Sequence, residues 1–173
     1  MSAPKIKASI GKAVNAYKTK LALYSDDTFQ LTPPINGWSY SEVYSHIFDS
    51  SLLSTIAMEN CIKGNGQDIP THFVVKVILF FGAFPPAAKY KVPKRLADRV
   101  EKISQLTAHE LIVSFEQVLE SAYSTIGKAD KNCKTKHPRL GYLNATQWLR
   151  FIEIHLKHHL KQLARIEKSF KGG

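Results

Sequence analysis

The chain has 173 residues, 44% of them hydrophobic, and a net charge of +10 from 24 basic and 14 acidic side chains. That length suits a single domain over residues 1–173, long enough to bury roughly two-thirds of its unfolded surface. No apolar run approaches the ~18 residues of a membrane span, and Met1 to Lys7 hold no apolar signal core, so neither a membrane protein nor a secreted one is expected and the cytoplasm is the default compartment.

The predicted elements are helical nearly throughout. A lysine-rich amphipathic helix from Ala8 to about Tyr24 places Ile10, Val14, Tyr17, Leu21 and Tyr24 at helical spacing. Asp26-Asp27 and Pro33-Pro34-Ile35-Asn36-Gly37 read as a connection. Trp38-Ser39-Tyr40-Ser41-Glu42 opens a second helix, with Ser39 as N-cap and Glu42 completing a capping box. Gly64-Asn65-Gly66 ends that helix after about Lys63. Phe73 to Phe81 lacks strand alternation and reads as a buried helical segment. The basic, proline-interrupted stretch from Phe84 to Gln105 has room for a short helix near Arg95 to Ile103. Thr107-Ala108-His109-Glu110 is a second capping box, starting a helix to about Ile126. Gly127 to Asn144 reads as a loop, and a last helix runs from Asn144 to about Phe170. Four long amphipathic helices joined this way predict an all-α fold, a four-helix bundle with short extra helical segments in the connections.

The positive charge comes from separate segments. Residues 1–25 carry five lysines and no acid, while residues 26–72 hold six acids against one lysine. The densest cluster, Lys89-Tyr90-Lys91-Val92-Pro93-Lys94-Arg95, resembles a phosphate-binding patch, yet no nucleic-acid motif interleaves aromatic and basic residues around it. A helical binding module whose basic segments contact nucleic acid or another polyanion is therefore the disfavoured alternative to the reading below. Cys61 and Cys133 are too few for a disulfide framework and lack zinc-ribbon spacing, so both read as free thiols.

The last helix carries the most informative pattern. Trp148, Phe151, Ile152, Leu156, Leu163, Ile166 and Phe170 form one apolar stripe at three- and four-residue intervals. At ~100° per residue from Trp148, His155 falls at about −20° and His159 at about +20°, inside that stripe, while His158 falls at about −80°, on its edge. Imidazoles at i and i+4 have Cβ atoms only ~5–6 Å apart and can converge on one ion. A catalytic zinc site commonly takes three protein ligands. His46 is the best third candidate, on a face of the second helix shared by Val43, Ser50, Leu53, Ala57 and Cys61. His72, His109 and His137 lie in turns, a first helical turn or the basic loop. On spacing alone, a hydrogen-bonded core role for the same imidazoles stays open. Di-iron carboxylate sites need Glu-x-x-His on two helices, and here Ile152 and Leu156 stand in those places. No His-Glu-x-x-His, phosphate loop or Gly-x-Ser-x-Gly elbow occurs.

Two segments carry a family resemblance. Trp38-Ser39-Tyr40-Ser41-Glu42-Val43-Tyr44-Ser45-His46-Ile47 resembles the tryptophan-serine…histidine opening of the DinB/YfiT-like superfamily. His137-Pro138-Arg139-Leu140-Gly141-Tyr142-Leu143-Asn144-Ala145-Thr146-Gln147-Trp148, followed by His155-x3-His159-x2-Gln162, is similar to its C-terminal signature. The resemblance implies a four-helix bundle with a divalent metal held by His46, His155 and His159. It also implies a metal-dependent hydrolase or a thiol S-transferase or isomerase, a low-molecular-weight thiol or other small-molecule substrate, and a homodimer. Gln162 matches the family's trailing glutamine, within reach of the site, although a place at the edge of the stripe suits it equally. Nitrogen-only ligation suits zinc, nickel or iron, and copper as well. A three-imidazole ion keeps its +2 charge and acidifies a bound water or thiol. A carboxylate is then expected near the ligands, with Asp49, one turn after His46, preferred to Glu153, whose helical phase points to solvent.

Overall fold

The computed structural model describes residues 1–85 and 100–171. Its elements are α1 (Ala3–Leu21), α2 (Asp26–Gln30), α3 (Tyr40–Ile62), α4 (Phe73–Phe81), α5 (Gln105–Ser124), strands β1 (Lys134–His137) and β2 (Gly141–Asn144), and α6 (Ala145–Lys171). Helix α3 packs on α5 and α6, and α1 packs on the same two, so these four make the bundle. The all-α reading with extra short helices is what the chain adopts, apart from one small hairpin. No helix among the described residues is long and apolar enough to cross a membrane.

Local sequence explains most boundaries. The capping box at the start of α3 forms as read: the Glu42 amide donates to Ser39 Oγ at 3.3 Å, and the Ser39 amide donates to the Glu42 carboxylate at 2.8 Å. Helix α1 begins at Ala3, five residues before the periodicity suggested, because Pro4 sits in the first turn, where no amide proton is needed. The connection after α1 contains the single short helix α2, capped by Ser25 and buried through Phe29. Helix α5 starts three residues before the predicted box, with Ser104 as N-cap accepting from the Thr107 amide at 3.0 Å. Its start is pinned from outside: Ser41 Oγ donates to the Ile103 carbonyl at 2.8 Å, immediately before the cap.

Two expectations need correction, and a third lies mostly outside the described residues. Helix α4 is only one-sided in its burial. Val75, Ile78 and Leu79 face the interior, while Phe73, Val74, Phe80 and Phe81 are exposed, since a nine-residue helix leaning on α6 covers one stripe and no more. Residues 127–144 are not all loop. They include an antiparallel hairpin that pairs Lys134 with Asn144 and His137 with Gly141. The short helix read near Arg95 to Ile103 falls mainly outside the described residues, and residues 100–103 are not helical. The basic cluster at Lys89 to Arg95 lies outside them entirely.

The core fills the bundle between these elements. Tyr17, Phe29, Tyr44, Phe48 and Phe115 are its largest fully buried side chains. The phenol groups of Tyr17 and Tyr44 are satisfied, Tyr17 Oη donating to the Leu156 carbonyl at 2.9 Å and Tyr44 Oη to the Tyr17 carbonyl at 2.7 Å. Cys61 is buried beneath the hairpin, its sulfur 3.3 Å from Thr135 Oγ1, and both cysteines are free.

Candidate metal centre

Two helices with well-set starts bring the site together. The capping box fixes the first turn of α3, and His46 follows two turns in, 7% exposed. Helix α6 is capped reciprocally from the end of β2: the Gln147 amide donates to Asn144 Oδ1 at 3.0 Å, and the Asn144 amide to Gln147 Oε1 at 2.9 Å. The indole of Trp148 then donates to Thr135 Oγ1 of β1 at 2.8 Å, which ties the hairpin to the helix. About two and three turns further on come His155 and His159.

These residues meet His46 across the bundle. One ring nitrogen from each of His46, His155 and His159 lies within 4.8 Å of the other two. His155 Nε2 and His159 Nε2 are 3.0 Å apart. The His46 ring centroid stands 5.3 Å from that of His155 and 4.9 Å from that of His159. Aromatic rings frame the group, with Trp38 4.9 Å from His46 and Phe151 stacked 5.2 Å from His155.

Burial decides the protonation of the group. It lowers His46 to about 4, against the opposing pull of the nearby Asp49 charge. His155 and His159 are pushed well below the ordinary imidazole range, again first by burial and then by neighbouring imidazoles. All three rings are therefore neutral at pH 7, with lone pairs to offer. His159 Nδ1 lies 2.7 Å from Gln162 Oε1, and an amide oxygen only accepts, so the proton sits on Nδ1 and the Nε2 lone pair faces the other imidazoles. His155 Nδ1 is buried with no hydrogen-bond partner among the described residues.

The group forms one end of a cavity of about 510 Å³. Leu53, Ala57, Phe84, Leu140, Trp148 and Phe151 give it apolar walls, and Gln162 lines it as well. Asp49 is half-buried beside His46 but is not among the lining residues. His158 lines the cavity next to the group, its ring 5.1 Å from that of His159. His72 and His109 are exposed. Glu153 does not point to solvent as its helical phase suggested. It is 0% exposed, on the far side of α6, because α1 and α4 cover that side too. There it pairs with Arg150 and, at 2.7 Å, with Lys157.

The hairpin contributes three polar cavity residues that sequence reasoning did not select, Lys136, His137 and Arg139. By sequence alone His137 reads as part of a basic loop. Its hint was the adjoining Pro138, which marks a turn and so the tip of a possible hairpin.

A four-helix bundle with three neutral imidazoles gathered at a cavity between two of its helices defines the class. The chain belongs to the DinB superfamily, whose family model matches residues 15–163. It is similar in fold to the crystal structure of TT2238, a four-helix bundle protein, with a TM-score of 0.60 and 14% identity over 95% of this chain and 99% of that one. No curated protein sequence matches it.

Proposed function

We propose that the chain is a metal-dependent enzyme of the DinB type, catalysing hydrolysis or thiol transfer on a small molecule, with His46, His155 and His159 holding a divalent ion such as zinc, nickel or iron. The observation that carries this reading is the convergence of three neutral imidazole nitrogens within 4.8 Å at one end of a cavity. A tetrahedral ion with metal–nitrogen distances of ~2.0–2.1 Å spaces its ligands about 3.3 Å apart, so the donor set fits such an ion after small ring adjustments. When bound, the ion supplies Lewis-acid charge that favours the deprotonated form of water or a thiol near neutral pH.

The remaining roles belong to the chain itself. Gln162 holds His159 in the tautomer that presents Nε2, and Trp38 and Phe151 hold rings on two sides. Asp49 biases His46 by its charge from outside the cavity. The apolar walls keep bulk water away from a small organic substrate.

Elemental analysis of the purified protein tests the reading. About one divalent ion per chain is expected, falling to near zero in His46→Ala and His159→Ala. Stoichiometric metal in both variants would overturn it. We also propose a homodimer, as the resemblance implies, supported by the exposed aromatic face of α4. Sedimentation should give a dimer that Phe80→Asp with Phe81→Asp weakens, and a monomeric wild type would refute it.

A further inference from the structure

The cavity has a second polar end that the imidazole group leaves unused. Lys136, His137 and Arg139 stand together where β1 enters the hairpin turn, and all three line the cavity. His137 Nδ1 accepts from the backbone amides of Arg139 and Leu140 at 3.1 and 3.0 Å. A ring nitrogen that accepts two N–H groups carries no proton, so in this ring the proton sits on Nε2. Burial lowers His137 to about 4, with the Arg139 charge acting in the same direction, and the ring stays neutral at pH 7. The turn's own backbone thus sets His137 as a hydrogen-bond donor, and no protein acceptor among the described residues takes up Nε2–H.

Charge points the same way. Lys136 and Arg139 are exposed and form no ion pair with a described residue. No aspartate or glutamate occurs among the described residues that line the cavity. Between this end and the imidazole group lies apolar wall: the Phe151 ring is 4.5 Å from His137 and 5.2 Å from His155, with Trp148 5.3 Å from His137. The cavity therefore has a cationic, donor-bearing end, an aromatic middle and a metal-competent end.

We propose that the hairpin turn is a carboxylate anchor, in which His137 Nε2–H and the Arg139 and Lys136 side chains hold the acid group of a small aromatic or aliphatic carboxylate whose body lies on Phe151 and Trp148. The carboxylate is favoured over a dianionic phosphate because the apolar walls make a second negative charge costly to desolvate. The substrate's reacting group then lies toward His46, His155 and His159. Only that last step rests on the metal reading; the anchor does not need the ion.

Both tryptophans of the chain, Trp38 and Trp148, line the cavity, so their fluorescence reports its occupancy. The test titrates the full chain, as purified and after chelation, with phenylacetate and with its neutral amide, phenylacetamide. The acid should bind about tenfold more tightly than the amide, as a charged hydrogen-bonded contact provides, with and without metal. That preference should weaken with salt and fall to about twofold or less in Arg139→Ala and in His137→Asn. Asparagine keeps an acceptor for the turn amides and removes the Nε2 donor, while Lys12→Ala on exposed α1 surface controls for net charge and should change nothing. Equal affinity for acid and amide, no saturable change with either, or a preference unaltered in both hairpin variants would overturn the anchor. A preference lost on chelation or in His46→Ala but kept in Arg139→Ala would place the carboxylate at the imidazoles and overturn it too. An intact preference in a protein that never binds metal would leave the anchor standing and remove the proposed function.

Discussion

Helix α6 buries ionisable groups on two opposite sides and treats them in opposite ways. On one side Glu153, 0% exposed, is met by Arg150 and Lys157, and Arg150 also donates to the Leu79 carbonyl at 2.9 Å. Burial works to raise the Glu153 pKa, but hydrogen bonds from Lys157, Ser9 and Arg150 outweigh it and hold the carboxyl below its usual range. On the other side His155 and His159 meet a third imidazole, and burial strips their protons away. A buried charge compensated within the chain has no coordination capacity left. Neutral rings whose converging nitrogens meet only one another have kept theirs, and a cavity gives access to it. One helix thus carries a structural cluster on one side and a candidate ligand site on the other.

The largest expected effect lies on the compensated side. Glu153→Ala leaves the mostly buried Arg150 guanidinium without its partner and should destabilise the fold by about 3–5 kcal/mol in urea unfolding, while bound metal per folded chain is unchanged. Loss of metal without loss of stability would mean that the two sides are not separable. Next comes Gln162→Leu, which frees the His159 tautomer and should weaken metal affinity about 10- to 100-fold in a chelator competition. An unchanged affinity would show that the amide merely caps a surface position.

The smallest effect per step is in pH, and there the two sides should part. His46 has its folded value lowered from 6.5 to about 4, so the unfolded chain binds more protons between those values. The stability His46 contributes is complete above about pH 6.5 and is lost as pH falls toward 4, by about 1.4 kcal/mol per unit. Glu153 is lowered from 4.5, so its contribution persists to that pH and is lost only below it. Urea midpoints of metal-free protein should therefore decline from pH 6.5 in the wild type and less steeply in His46→Gln. A flat profile between pH 6.5 and 5 would contradict the buried, neutral state of the rings.

Much of this arrangement can be read from residues close in sequence. Ser39 and Glu42 announce the start of α3, and helical phase separates His155 and His159 from His158. Phase fails for Glu153 because a single-stripe wheel assumes one packed face, whereas α1 and α4 close over the other side of α6 as well. The hairpin is hidden for a related reason. Lys134-Thr135-Lys136-His137 shows no apolar alternation, and its pairing depends on contacts distant in the chain, including the bridge from Gln67 to Lys134 and the bond from Trp148 to Thr135. The carboxylate anchor stayed out of reach with it. Helix α5 likewise takes its start from Ser41, more than sixty positions upstream.

The hydrogen bonds of the Tyr17 and Tyr44 hydroxyls have a mechanical consequence. Tyr44 of α3 bonds to the backbone of α1, and Tyr17 of α1 bonds to the Leu156 carbonyl, which lies between the two histidines of α6. A slip of α6 by one helical turn displaces every side chain by ~5.4 Å, further than the 4.8 Å that spans the three nitrogens. These hydroxyls therefore act as a register lock: Tyr17 and Tyr44 set the alignment of α3 against α6, and neither lines the cavity.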